Sequence, residues 1–154
     1  MSKRVVIDAN GAILGRLSTH VAKRLLQGQS IDLINVEKMI ISGKPKNTIS
    51  KYKQKLGIVS KFNPERGPFH YRRPDRFVRR TIRGMLPYKK PRGKQAYHRL
   101  KCYISVPEKL ENEKRIVIPD ADSAKLKIKR ITVGDLCKEL GWNYDPKLDP
   151  RNKE

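Results

Sequence analysis

Four arginines set the chemistry available to this sequence. Arg76, Arg79, Arg80 and Arg83 fall within a sector of about 100° when residues 75–85 are wound at 100° per residue. A guanidinium is planar, permanently charged and able to grip phosphate with two parallel hydrogen bonds. Val78, Ile82 and Met85 fall on the opposite side. The spacing therefore predicts a helix that docks one face on a core and points four cations at a partner. Pro74 suits its first position, where a missing N–H costs nothing, and Asp75 complements the positive end of the helix dipole. A solvated charged face normally mixes signs; here no acid lies between Arg76 and Lys101.

This helix sits inside a longer basic stretch, Lys61 to Lys101. It holds nine arginines and five lysines against Glu65 and Asp75, a net +12. The 60 residues before it carry +8 and the 53 after it +1, so the polyanion-binding work is expected in the middle of the chain. Six of the ten aromatics (Phe62, Phe69, Tyr71, Phe77, Tyr88 and Tyr97) are in the same stretch. Rings interleaved with arginine suit RNA, whose unpaired bases stack on aromatic and guanidinium planes. Phe77 and Tyr97 serve equally well as core residues.

Other chemistries fit poorly. Ser42-Gly43-Lys44 resembles the end of a phosphate-binding loop, but Lys38 stands where the motif needs its first glycine and Pro45 where it needs Ser or Thr. Gly11 and Gly15 lie between a strand and a helix without dinucleotide-site spacing, and read as a tight turn. His20, His70 and His98 have no zinc-type spacing to Cys102 or Cys137. Those two cysteines, 35 residues apart, read as buried thiols in a reducing compartment. Asp8 and Asp32, both near strands, are the one pair that could share a nuclease metal, although an Asp at a strand end is more often a turn residue.

The elements that would carry these residues are legible in outline. Val5 to Ile7 reads as a buried strand. Leu14, Leu17, Val21 and Leu25 repeat at helical spacing up to Gly28, and Ile31 to Asn35 forms a second strand. Strand, helix and strand within about 30 residues make a βαβ unit and favour a parallel sheet. Met39 to Ile41 is a third β-prone run. Lys44, Pro45 and Asn47 open a lysine-rich helix with Ile49, Tyr52 and Leu56 as its apolar stripe. Residues 58–74 have no period and are broken by Pro64, Gly67, Pro68 and Pro74. After the arginine helix come an irregular segment at 87–93, a short helix at 94–100 and an alternating strand at 101–106. Ile116 to Ile118 is extended. Thr132 and Asp135 have cap spacing before the stripe Val133, Leu136, Cys137 and Leu140, which Gly141 stops, and Trp142 anchors that end on the body.

The whole chain bounds the rest. One domain is the default for 154 residues: a body of 1–144 with a basic insert at about 58–101, and a frayed tail at 145–154. A hydrophobic content of 37% allows only an economical core. A net charge of +21 implies a polyanionic partner. No apolar run approaches a membrane span, and Val5 to Ile7 is too short for a secretory leader, so a cytosolic protein is expected.

Arg83-Gly84-Met85-Leu86-Pro87, followed by Arg92-Gly93, resembles the signature of the L-thirteen family of universal large-subunit ribosomal proteins. Ile13-Leu14-Gly15-Arg16-Leu17 is similar to the start of that family's first helix, and Ile41-Ser42-Gly43-Lys44 to its next turn. Asn63 to His70, Arg72, Pro74 and Glu139-Leu140-Gly141-Trp142 resemble the archaeal and eukaryotic branch. Without the long C-terminal helical extension of eukaryotic members, an archaeal-type member is expected. The resemblance implies an α/β chain with a three-layer α/β/α fold around a four-stranded parallel sheet, and basic RNA-binding extensions. It implies a structural role with no catalysis, no cofactor, no metal, no membrane and no small-molecule substrate. The implied partners are large-subunit ribosomal RNA and neighbouring ribosomal proteins. Carried over position by position, the RNA contacts are Arg16, Lys44, Arg66, His70, Arg72, Arg73, Arg76, Arg80, Arg83, Lys89, Lys90, Arg92 and Lys94. On the residues alone, an RNA-processing nuclease using Asp8 and Asp32, or a free regulatory RNA-binding module, stays open beside this.

Overall fold

The computed structural model describes residues 4–143. The tail expected at 145–154 lies outside the described residues. Strand β1 (Arg4–Asp8) leads into helix α1 (Leu14–Leu26) and strand β2 (Ser30–Ile34), the expected βαβ unit. Strand β3 (Ile40–Ser42), helix α2 (Pro45–Leu56), helix α3 (Pro74–Met85) and helix α4 (Pro91–His98) follow. Strands β4 (Leu100–Cys102), β5 (Arg115–Ile116) and β6 (Arg130–Thr132) and helix α5 (Val133–Glu139) complete the order. The main sheet runs β4-β2-β1-β5, with every neighbouring pair parallel.

The sheet separates two unequal layers, giving a three-layer α/β/α arrangement with one thin side. Strand side chains alternate between faces. Val5, Ile7, Ile31 and Leu33 enter the main core, together with Leu17, Val21 and Leu25 from α1 and Phe77, Val78 and Ile82 from α3. Val6 and Ile34 face the other way and meet Leu110 from a short 3-10 turn, with Tyr103 and Val106 beside them. Leu17, Val21 and Leu25 are fully buried, so truncating Leu17 to Ala would cost about 2–5 kcal/mol. The apolar stripe of α1 is thus what fixes the helix to the sheet. Gly28 and Gly141 take φ of 94° and 93° as they end α1 and α5, a region where a Cβ is strained.

Two boundaries differ from the sequence reading, and one strand joins a sheet that the sequence left open. The strand expected at 101–106 ends at Cys102. Beyond it the chain turns through Ser105 at φ 59°, whose N–H donates to Glu37 Oε2 at 3.1 Å and whose carbonyl accepts from Asn35. The segment expected to be irregular through Gly93 is already helical from Pro91, which takes the first helical position. The run at Met39 to Ile41 does not extend the parallel sheet: β3 forms a separate antiparallel ladder with β6, Ile40 opposite Thr132 and Ser42 opposite Arg130.

The C-terminal cap follows the sequence closely. The N–H of Asp135 donates to Thr132 Oγ1 at 3.0 Å, while the Thr132 hydroxyl donates to Asp135 Oδ2 at 2.6 Å. Trp142 is buried and its backbone N–H donates to the Cys137 carbonyl at 2.9 Å. Cys102 and Cys137 are both free and buried. Burial pushes both thiols up, Cys137 to about 12, so neither presents a reactive thiolate near neutral pH.

Candidate nucleic-acid interface

Helix α3 is the centre of the basic surface. Phe77, Val78 and Ile82 bury one face, and Arg76 and Arg80 are exposed on the other. Asp75 is only 4% exposed, and its Oδ1 accepts from Arg73 Nε at 3.3 Å. The single acid between Arg66 and Lys101 is therefore spent inside the protein. Met85, expected on the core side, is instead 41% exposed, with its sulfur 3.8 Å from the Thr19 hydroxyl of α1. At the end of the helix the apolar stripe has run past the core.

The four-arginine face divides into two pairs. The Arg79 guanidinium lies 4.4 Å over the Tyr97 ring and that of Arg83 lies 4.0 Å over Tyr88. The two rings meet edge to face, 5.4 Å apart at 89°. This four-residue stack ties α3 to the 87–90 segment and to α4, and it half-buries both arginines. Arg79 was expected to face outward, but it is pulled onto α4. Burial raises the Tyr97 hydroxyl, and the Arg79 and Arg83 charges partly offset this. Gly93 supports the same junction, because a Cβ there would lie 2.1 Å from the Pro87 carbonyl oxygen. Only glycine lets α4 start so close to that backbone.

The other expected contacts sit around this centre. Arg16 is exposed on α1, beside a shallow groove shared with Thr19 and the Ile40–Ser42 strand, and Lys44 is exposed as the residue that precedes α2. Arg66 is exposed at the end of a 3-10 turn. His70 is exposed, its Nε2 3.2 Å from the Ile58 carbonyl oxygen. Arg72 is exposed and near Gly141, whereas Arg73 is half-buried against Asp75. Lys89, Lys90, Arg92 and Lys94 are exposed where α4 begins. Arg99, in the basic stretch, turns inward instead: its Nη2 donates to the Leu25 carbonyl at 2.8 Å and caps the end of α1. Sequence alone could not separate it from the outward cations.

The carboxylates considered for a nuclease metal already have partners. Asp8 Oδ1 accepts from the Asn10 N–H at 2.9 Å and from Asn35 Nδ2 at 3.0 Å, which makes it a turn residue. Asp32 accepts from Arg4 Nε at 2.7 Å. Each oxygen so used closes an internal contact, and no group of three ligating residues occurs among the described residues. No helix among the described residues is long and apolar enough to cross a membrane.

Comparison with known proteins agrees with this geometry. The family profile described as ribosomal protein L13 matches residues 2–109. The large ribosomal subunit protein uL13 of Methanosarcina barkeri is 46% identical over 141 residues, covering 90% of this chain and 99% of that protein. Its counterpart in Methanococcoides burtonii is 42% identical over 140 residues, with 90% and 99% covered. That of Aeropyrum pernix is 37% identical over 142 residues, with 92% of each covered. A fold, a signature helix and relatives matched over nearly their full length lead to one conclusion: this chain belongs to the ribosomal protein L13 family.

Proposed function

We propose that this protein is a structural constituent of the large ribosomal subunit that clamps folded ribosomal RNA in the cytoplasm and catalyses nothing. The observation that carries the reading is the uncompensated surface of α3 and its flanks. Arg76 and Arg80 point outward from a helix anchored in the core, and Asp75 is buried. The relatives named above are large-subunit proteins, and they extend the reading from polyanion binding to the ribosome. The chain acts as one α/β domain, 1–144, with 58–101 as its basic insert.

In this reading the exposed cations Arg16, Lys44, Arg66, Arg72, Arg76, Arg80, Lys89, Lys90, Arg92 and Lys94 meet phosphates directly. Arg73 and Arg83, each held by an internal partner, and His70 meet RNA with part of their surface. The test is a salt titration of binding to ribosomal RNA fragments, with circular dichroism on each variant. Arg76→Glu and Arg80→Glu weaken binding with the fold intact, and each lost phosphate contact lowers the log K against log salt slope by about 0.7–0.9. Lys147→Glu, from the charge-balanced C-terminal third, changes little. Equal weakening by tail and helix substitutions means a diffuse charge cloud and defeats the clamp.

A further inference from the structure

A cleft of about 320 Å³ opens between α2, residues 68–71 and α3. His70 and Arg80 of the clamp line it, but its aromatic rings have no part in that reading. On its inner side Tyr52 and Phe77 meet edge to face, 5.2 Å apart at 61°. Lys55 Nζ lies 5.1 Å over the Tyr52 ring, and Arg80 lines the α3 side. The outer side is formed by Phe69 and Tyr71, and no acidic residue lines the cleft. Phe69 is 77% exposed, an apolar ring turned to solvent that none of the described residues covers. The segment that carries it is held lightly, by contacts such as that of His70 to the Ile58 carbonyl.

We propose that this cleft takes one unpaired nucleobase of RNA, stacked on Phe69, with Lys55 and Arg80 meeting the phosphates on either side of it. The proposal rests on the RNA-clamp reading and adds a base-binding site to it. Three properties select this occupant. The volume is at the low end of small-ligand clefts, roughly 300–1,000 Å³, so it admits one flat ring system and no duplex. Exposed rings offer a stacking platform that tolerates any base, because every base has a π face. Two cations flanking an acid-free aromatic cleft match a ring carried between two phosphates.

The test uses the full chain and two probes. One is a short single-stranded oligoribonucleotide carrying an adenine analogue whose fluorescence is quenched by stacking; the other is an RNA duplex of the same composition. Phe69→Ala weakens binding of the single strand by roughly 10-fold and abolishes the quench, leaving duplex affinity and the salt slope unchanged. Phe69→Trp restores both, and circular dichroism is unaltered because the ring is exposed. Arg76→Glu, outside the cleft, weakens both probes and lowers the slope. Unchanged single-strand affinity in Phe69→Ala, with Arg76→Glu still impaired, overturns the base site and leaves the clamp standing. Loss in neither variant overturns both readings. Intact RNA binding combined with failure of Phe69→Ala to enter the large subunit assigns the cleft to a neighbouring protein, and also overturns the proposal.

Discussion

Arg79 and Arg83 show how one residue type serves two ends within about two turns of helix. Their neighbours Arg76 and Arg80 carry charge to the surface, while these two spread their guanidiniums over Tyr97 and Tyr88. The difference has a measurable consequence. Arg79→Ala removes a stacked cation together with the packing of its stem, and should lower unfolding free energy by about 1–2 kcal/mol in urea titrations. Arg76→Ala should stay within about 0.5 kcal/mol of the parent. If both variants unfold at the same urea concentration, the stack contributes nothing to the fold. Helical periodicity located all four arginines on one side but could not divide them, because the division depends on Tyr88 and Tyr97, which reach that side only when α4 docks. The same limit hid the inward turn of Arg99. The thiols, by contrast, were readable as buried from their 35-residue separation and lack of metal-type spacing, and Gly93 was visible as a signature residue before its contact with Pro87 gave it a reason.

Among the elements, those with a strong local period were the legible ones. The helix starts at Pro45 and Pro74 and the Thr132–Asp135 cap are written in a few adjacent residues, and the structure repeats them. The length of β4 and the sheet that β3 joins were not legible, for a different reason. What stops β4 is a pair of left-handed residues, Asn35 and Ser105, that are distant in sequence and bonded to each other. What claims β3 is β6, some 90 residues on. Local pattern cannot report either. Residues 58–73 are the opposite case, a segment with little regular structure in either reading. Its internal backbone bonds are short-range, such as Arg66 to Asn63 and Gly67 to Pro64, and Phe62 is fully exposed. Hydrogen exchange on the free protein should therefore show rapid exchange there and slow exchange in α1 and β2, with ribosomal RNA slowing the former. Strong protection of 58–73 without RNA would mean that the segment is ordered by its own packing.

For the molecule as a whole, a net charge of +21 on 154 residues means that the folded state repels itself. Ion pairs relieve this in places, as Lys53 with Glu139 and Arg4 with Asp32, while residues 76–101 contain no acid of their own. Raising salt from low to physiological strength should raise the Tm of the free protein as screening sets in, while weakening its complex with RNA. A Tm that falls with added salt would place the ion pairs above the repulsion in importance. The position of the last strands bears on something else, the order in which the chain is made. β1 pairs with β5 at Ile116, β3 is completed by β6 at Thr132, and the core needs Val133, Leu136 and Cys137 from α5. A nascent chain released before those residues would keep an open edge on β1 and an uncovered apolar face, both open to proteases and to other strands. Long-range closure thus acts as a length check: a chain that stops before α5 cannot hide this core.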